Sequence, residues 1–570
     1  MAEYLSPGVY VEEFDSGSKS MEGVGTSTAG FIGLAERGSS VGVPQLVTSF
    51  SDFKRKFGGY LSANEFGEYR FLAYSVEHFF INGGSRCFIS RVVPNDAKSS
   101  SAENTALKVV AKNEGTWGND VVIEIVPSSK AKTQVLEISS DNSKQCKVKK
   151  SNGFNVGDIV AFNIDGSVAY NRIVKSKDNI IEFEEDLDAT IVDTNIVPKK
   201  IISTCECSLT IRYDDQIETY ENVSFNIKSS NFIEKCVEKS NLVDITVNTS
   251  AVSKLDTPFN IITENADVDS FRITLANGSN GSLAEVTPDT FIGLDNGAGN
   301  RTGIQSFIDN DVVSIIAVPG VTDSNVQLNL VAHCENLASR FAVLDMPQDC
   351  IKVDDVIAHR NIVDSTYSAM YHPWLEVYDP LDKKNVIIPP SGSVMGIYSR
   401  TDNTKGVHKA PANEVVRACT GLSIPFNKGE QDILNPKGVN LIRSFPGQGI
   451  RVWGARTTSS DPSWKYINVR RLFIFIEESI KANTNWVVFE PNTPELWDRV
   501  QRTINGFLTS LWRSGALAGT SESEAFFCNV DNTTMTKDDI DNGRLICVIG
   551  VAPVKPAEFV IFRISQKTGE

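Results

Sequence analysis

The segment that most constrains this chain lies at its C-terminal end: Val551-Ala-Pro-Val-Lys-Pro-Ala-Glu-Phe-Val-Ile-Phe-Arg-Ile564. It reads as a strand apolar on both faces, at the place where most domains fray. Such a strand needs partners, and a terminus is well placed to find them on another subunit. The first residues carry a similar signal. Val9 and Val11 alternate with Tyr10 and Glu12 behind a Pro7-Gly8 turn, which predicts a short strand. Ser16 to Gly23 follows as a flexible linker.

Between these ends lie several domains' worth of sequence, since 570 residues exceed one ordinary core. Hydrophobic residues make up 41% and charged residues 22%, the balance of a folded protein. A net charge of −16 argues against a general nucleic-acid binder, which presents a basic face to phosphates. The start, Met1-Ala-Glu-Tyr-Leu, has neither a basic nor an apolar secretory region, so synthesis in a cytoplasm is expected. No apolar run has the length for a bilayer span, and membrane insertion is not expected. Ten cysteines are scattered, with Cys205-Glu-Cys207 the only close pair. A zinc site needs a second pair at ligand spacing, so buried free thiols are expected instead.

The texture changes along the chain. Ala29–Ala35 and Arg86–Val93 read as strands and Phe71–Phe80 as a helix with an apolar face. From Asn119 to about Ile273, β-branched runs such as Val121–Val126, Asp158–Phe162 and Leu209–Tyr213 alternate with turn residues. That pattern predicts one or two all-β modules inserted into a parent domain. An α/β rhythm then appears. Val312–Val318 is a buried-strand run, Leu328, Val331, Ala338 and Phe341 follow helical spacing, and Ala342–Asp345 is the next strand. Short links between them imply right-handed crossovers and a parallel sheet. Near the end, Leu496, Val500, Ile504, Leu508 and Leu511 line one helix face, with Thr493, Pro494 and Gly515 suited to its termini.

The fold class expected is therefore mixed α/β and multidomain, a discontinuous α/β core with an inserted all-β region and extended terminal strands. Expected divisions are an arm at 1–20, core at 21–118, the β-rich insertion at 119–275, core again at 276–455, a C-terminal domain at 456–550 and a strand arm at 551–570.

Enzyme motifs are missing. No phosphate-binding loop, nucleophile elbow or His-Glu-x-x-His occurs. His333 and Cys334 are adjacent on a predicted helix, where side chains diverge by about 100° and form no base–nucleophile pair. Glu477 and Glu478 diverge in the same way. No catalytic, cofactor or metal residue is assigned.

Several separated segments resemble, in order, the tail sheath proteins of contractile phages and related injection systems. These are Pro7–Glu13, Gly30–Gly33, Gly115-Thr-Trp-Gly-Asn119, Tyr371-His-Pro-Trp374, Ile388–Gly396, Ala410–Asn413, Asn435–Thr457 and the closing strand. The resemblance covers about 1–118 and 276–570. It implies a helical homo-oligomer of sixfold rings around an inner tube, with baseplate and terminator proteins as further partners, whose contraction drives the tube through an envelope. It also implies that 119–275 faces outward and that the C-terminal domain lies innermost. Inter-subunit strands are then expected at Val9, Tyr10, Val11, Phe559, Val560, Ile561 and Phe562. Tube-facing charges are expected at Lys465, Arg470, Arg471, Arg499 and Arg502. A non-contractile tube or baseplate protein, or an α/β enzyme with β insertions, are the alternatives.

Overall fold

The computed structural model describes residues 21–164, 167–187, 201–264 and 268–561. Val9, Tyr10, Val11 and Phe562 lie outside the described residues.

A nine-stranded sheet organises the core. Its order is Gln45–Val47, Cys87–Val92, Ala29–Leu34, Ile315–Ala317, Phe341–Asp345, Ser368–His372, Val439–Phe445, Gly449–Val452 and Glu414–Val415. The six strands from Cys87–Val92 to Val439–Phe445 run parallel, and the edge strands are antiparallel. The chain thus builds one sheet from two distant stretches, residues 29–92 and 315–452. Alternate residues serve opposite faces. Ala29, Phe31, Ile315, Phe341 and Val343 enter one core, while Ile32, Leu34, Ile316, Ala342 and Leu344 enter the other. Burial on both faces is why these strands read as continuous apolar runs.

The Val312–Val318 run forms a strand only at Ile315–Ala317. The next helix is Ser324–Leu337, and its buried face is Val326, Leu330, Val331 and Cys334. The expected stripe is corrected here. Leu328 is exposed, Ala338 caps the helix in the left-handed conformation, and Phe341 opens the next strand.

One face is covered by helices Leu72–Asn82 and Ser391–Lys405, which pack closely. The reason is in the Ile388–Gly396 segment. A Cβ on Gly392 would sit 2.3 Å from the Ser75 carbonyl oxygen, and one on Gly396 2.4 Å from that of Phe79. Only glycine admits this approach. Tyr371-His-Pro-Trp374 is equally internal. The Tyr371 and Tyr398 hydroxyls lie 2.7 Å apart, and the Trp374 indole donates to the Met346 carbonyl at 2.7 Å.

The β-rich insertion begins earlier than Asn119. Strands Ser101–Glu103 and Leu107–Ala111 form one three-stranded sheet with Val243–Val247. This sheet shares a core, including Trp117, with the four-stranded sheet of Val122–Ser128, Glu206–Tyr213, Gln216–Val223 and Phe271–Thr274. A neck closes the module, where Lys98 bridges Ser279 and Ser101 bridges Ala276. The Gly115–Asn119 motif stitches that neck. The Asn119 amide accepts from the Gly278 N–H at 2.8 Å and donates to the Gly278 carbonyl at 3.2 Å. Beyond it hangs a second module, a closed six-stranded barrel of strands between Lys132 and Thr204 with its own core. The barrel is itself an insertion, because the strands flanking it pair Ser128 with Glu206.

The last domain packs helices Ile467–Asn483 and Pro494–Arg513 against the two-stranded sheet Phe526–Asn529 and Val548–Val551. Leu496, Val500, Ile504 and Leu508 are buried as their spacing requires. No helix among the described residues is long and apolar enough to cross a membrane.

The neck sets the boundary for excision. Replacing 98–279 with a short Gly/Ser link should leave a folded core with a cooperative melt. Cutting at 119 and 275 should not, since it strips Leu107–Ala111 of its partner Val243–Val247 and exposes Trp117. Equal melting of both deletions, followed by circular dichroism, would refute the neck.

Candidate assembly surface

The helix Ile467–Asn483 is the element on which the two chain ends converge. At its C-terminal end, the Asn483 amide donates to the Glu22 carbonyl at 2.9 Å, and the Val24 N–H donates to the Ser479 hydroxyl at 3.1 Å. Met21 packs into the same domain's core. At its N-terminal end, the Asn468 amide donates to the Val554 carbonyl at 3.2 Å, and the Tyr466 hydroxyl donates to Glu558 at 3.1 Å. Seventeen residues separate these ends, so the arm roots stand about 25 Å apart.

Glu558 is the C-terminal anchor. Its carboxylate accepts two bonds from Arg456, at 2.8 and 2.7 Å, and one from Asn435 at 2.7 Å, with Lys465 at 3.7 Å. Burial alone raises its pKa. The Arg456, Asn435 and Tyr466 bonds outweigh that and hold the carboxyl below the ordinary glutamate value of 4.5. Asn435 and Arg456 bracket the Asn435–Thr457 segment, whose middle supplies strands Val439–Phe445 and Gly449–Val452. The segment therefore both closes the central sheet and clamps the chain's end. Beside the clamp runs a groove of about 1090 Å³, lined by Lys428, Phe445, Trp453, Tyr466 and the 554–560 segment.

Past the clamp the described residues Phe559, Val560 and Ile561 join no ladder. The last strand ends at Val551, and the described residues 552–561 belong to no strand. Phe559, Val560 and Ile561 are 73%, 70% and 79% exposed. Three consecutive bare apolar residues follow directly on a fixed carboxylate. The sheet Phe526–Asn529 with Val548–Val551 has no third strand in its ladder among the described residues.

The five arginines and lysines expected to face a tube divide in two. Arg499 and Arg502 are exposed on the outer side of helix Pro494–Arg513. Arg499 pairs with Glu490 at 3.1 Å, and Arg502 donates to the Asp498 carbonyl of its own helix at 3.1 Å. The expectation of exposure fails for the others. Arg470 is buried, its guanidinium 3.5 Å above the Trp464 ring and 4.5 Å from that of Tyr367. Arg471 forms a two-bond pair with Asp402, at 2.9 and 2.5 Å, with both side chains 3% exposed. Lys465 is half-buried and turned toward Glu558.

Arg471 was missed as a structural residue, and its surroundings explain its position. It also donates to the Thr26 carbonyl at 2.9 Å, and the Thr26 hydroxyl donates to Asp402 at 2.7 Å. Its guanidinium lies 4.7 Å from the Tyr398 ring. One side chain thus joins the C-terminal domain, the core helix Ser391–Lys405 and the root of the N-terminal arm.

Comparison with known proteins decides the family. A model described as "Phage tail sheath protein central domain" matches residues 300–458, and one described as "Phage tail sheath C-terminal domain" matches 459–567. The chain belongs to the tail sheath family. A putative prophage major tail sheath protein of Pseudomonas aeruginosa is 25% identical over 294 residues, covering 49% of this chain and 73% of that protein. The tail sheath protein of Escherichia phage P2 is 24% identical over 289 residues, covering 49% and 70%. In fold, this sheath chain is similar to the sheath complex of the PVC extracellular contractile injection system in its contracted state. That match has a TM-score of 0.52 at 20% identity over 100% and 99% of the two chains. It is also similar to a sheath tail protein of Listeria innocua, with a TM-score of 0.54 at 11% identity over 94% and 96%.

Arg471→Ala should cost about 3–5 kcal/mol by stranding the Asp402 charge, whereas the double change Arg471→Met with Asp402→Leu should recover most of it. A double-mutant cycle by chemical denaturation reads this, and additive losses would contradict the pairing. For Glu558, a depressed carboxyl contributes stability above pH 4.5 that is lost as pH falls through its folded value. Acidification should therefore release the C-terminal segment to proteases. Glu558→Gln should release it at neutral pH, at a loss of about 1.5–3 kcal/mol.

Proposed function

We propose that this protein is the structural subunit of a contractile tail sheath, assembling with copies of itself and with a baseplate. The observation that carries the reading is the anchored yet unpaired C-terminal segment: Glu558 is fixed by Arg456, and Phe559 to Ile561 project beyond it. Main-chain groups of such a segment add affinity by joining a neighbour's sheet, and alternate side chains set the register. The two-stranded sheet Phe526–Asn529 with Val548–Val551 is the proposed acceptor. Val9 to Val11 and Phe562 are proposed to pair in the same manner. A contact of this kind is heterologous and does not close on itself, so it builds rings and helices.

The mechanism needs no catalytic group. Energy resides in the arrangement of subunits, with a metastable extended lattice relaxing to a better-packed one. We assign the inner-tube contact to Arg499 and Arg502, which present charge at the surface of the C-terminal domain, and no longer to Arg470 and Arg471. A terminator protein, an outward-facing β insertion and synthesis in a bacterial cytoplasm belong to the same reading.

Deleting residues 1–20, or truncating after Glu558, should leave a folded chain that no longer forms tubes in negative-stain images. Ordered tubes from both truncations would remove the arms from assembly. Arg499→Glu with Arg502→Glu should give empty or contracted sheaths, and normal tube-filled particles would clear these residues of the tube contact.

A further inference from the structure

The sulfurs of Cys528 and Cys547 lie 3.4 Å apart in the two-stranded sheet of the C-terminal domain. Cys528 belongs to the strand Phe526–Asn529, and Cys547 immediately precedes Val548–Val551. The register pairs Cys528 with Ile549 and Asn529 with Val548, so Cys547 stands diagonal to Cys528 on the same sheet face. All ten cysteines are described and free, and no other two thiols lie within hydrogen-bonding distance of each other. A disulfide bond is about 2.05 Å long, so closure needs an approach of about 1.4 Å, within reach of two side-chain rotations.

We propose that Cys528 and Cys547 are a redox-sensitive staple, closing to a disulfide across this sheet when the protein meets a low-molecular-weight disulfide. The two sulfurs are unequal in a useful way. Cys528 is buried, whereas Cys547 is half-buried and open to a reagent. The two sulfurs share one hydrogen bond, in which either can donate, and it holds the Cys547 pKa below the ordinary thiol value. Cys547 is therefore the attacking thiolate. It displaces one thiolate from the external disulfide and forms a mixed disulfide. Cys528 then loses its proton, attacks the Cys547 sulfur and expels the second thiolate. Two protein thiols are oxidised and one external disulfide is reduced to two thiols, so atoms and electrons balance.

The consequence is local stiffening. The closed loop would span the residues between 528 and 547, including the short helix Lys537–Asp541, and remove its freedom from the unfolded ensemble. The inference goes beyond the assembly reading and does not rest on it, since it is tested on the unassembled chain.

The purified full-length chain is equilibrated in glutathione buffers of graded redox ratio, alkylated, digested and examined by mass spectrometry. One peptide pair joining Cys528 to Cys547 is expected, 2 Da lighter than the two thiol peptides. The thermal midpoint should rise by several degrees on oxidation, about the shift a loop of this size gives. Cys547→Ala should abolish both the cross-link and the redox-dependent shift. Cys528→Ser should instead trap glutathione on Cys547, an outcome that can be read by mass even if the variant is less stable. Separate alkylation of both cysteines in oxidising buffer would overturn the proposal, and so would cross-links shared among other cysteines. An unchanged midpoint in the cross-linked protein would overturn the stiffening.

Discussion

The pairing of Arg471 with Asp402 is the interaction on which the arrangement of this subunit turns. Two charges removed from water are stable only with full mutual satisfaction. Here the guanidinium meets both carboxylate oxygens, the Thr26 carbonyl and the Tyr398 ring. With the helix that carries Arg471, those contacts join three parts of the chain. The helix carrying Arg471 cannot shift on the core without stranding a buried charge, so the C-terminal domain and the arm root are positioned together.

The second constraint is topological. A sheet assembled from residues 29–92 and 315–452 leaves more than two hundred residues to be housed between Cys87–Val92 and Ile315–Ala317, the two strands that flank Ala29–Leu34. The solution is nesting. The first β module closes its own neck through Asn119 and Gly278, and the barrel hangs from a strand pair within that module. Each level leaves and returns at neighbouring residues, so the core sheet is undistorted by what it carries.

Much of this was legible in the sequence because burial leaves a pattern. The parallel strands showed as apolar runs, and helix Pro494–Arg513 showed as a stripe with its ends marked. The β texture of the insertion was legible too, but its start was not. Ser101–Glu103 and Leu107–Ala111 find their partner Val243–Val247 far along the chain, and local composition carries no trace of that. The helix after Ile315–Ala317 was misread because Leu328 is an exposed leucine and Ala338 takes a left-handed turn rather than continuing the helix. The buried arginines were hidden for a similar reason. Arg470 and Arg471 look like surface charge, and what neutralises or covers them, Asp402 and the Trp464 and Tyr367 rings, appears only once the chain is folded. Glu558 escaped notice because an anchor is defined by its partners.

The helix Ile467–Asn483 holds the two arm roots at opposite ends, and an α-helix is a nearly inextensible rod. Its backbone bonds run along its axis, so a pull between the roots is taken up by the whole series of them at once. The distance between the points where the two terminal segments meet it is thus set by the length of the helix, about 25 Å. The segments at 22–24 and 554–558 are thereby tied to the two ends of one rod, and neither can slide along the domain without giving up its bonds to Asn483 and Ser479 or to Tyr466 and Asn468.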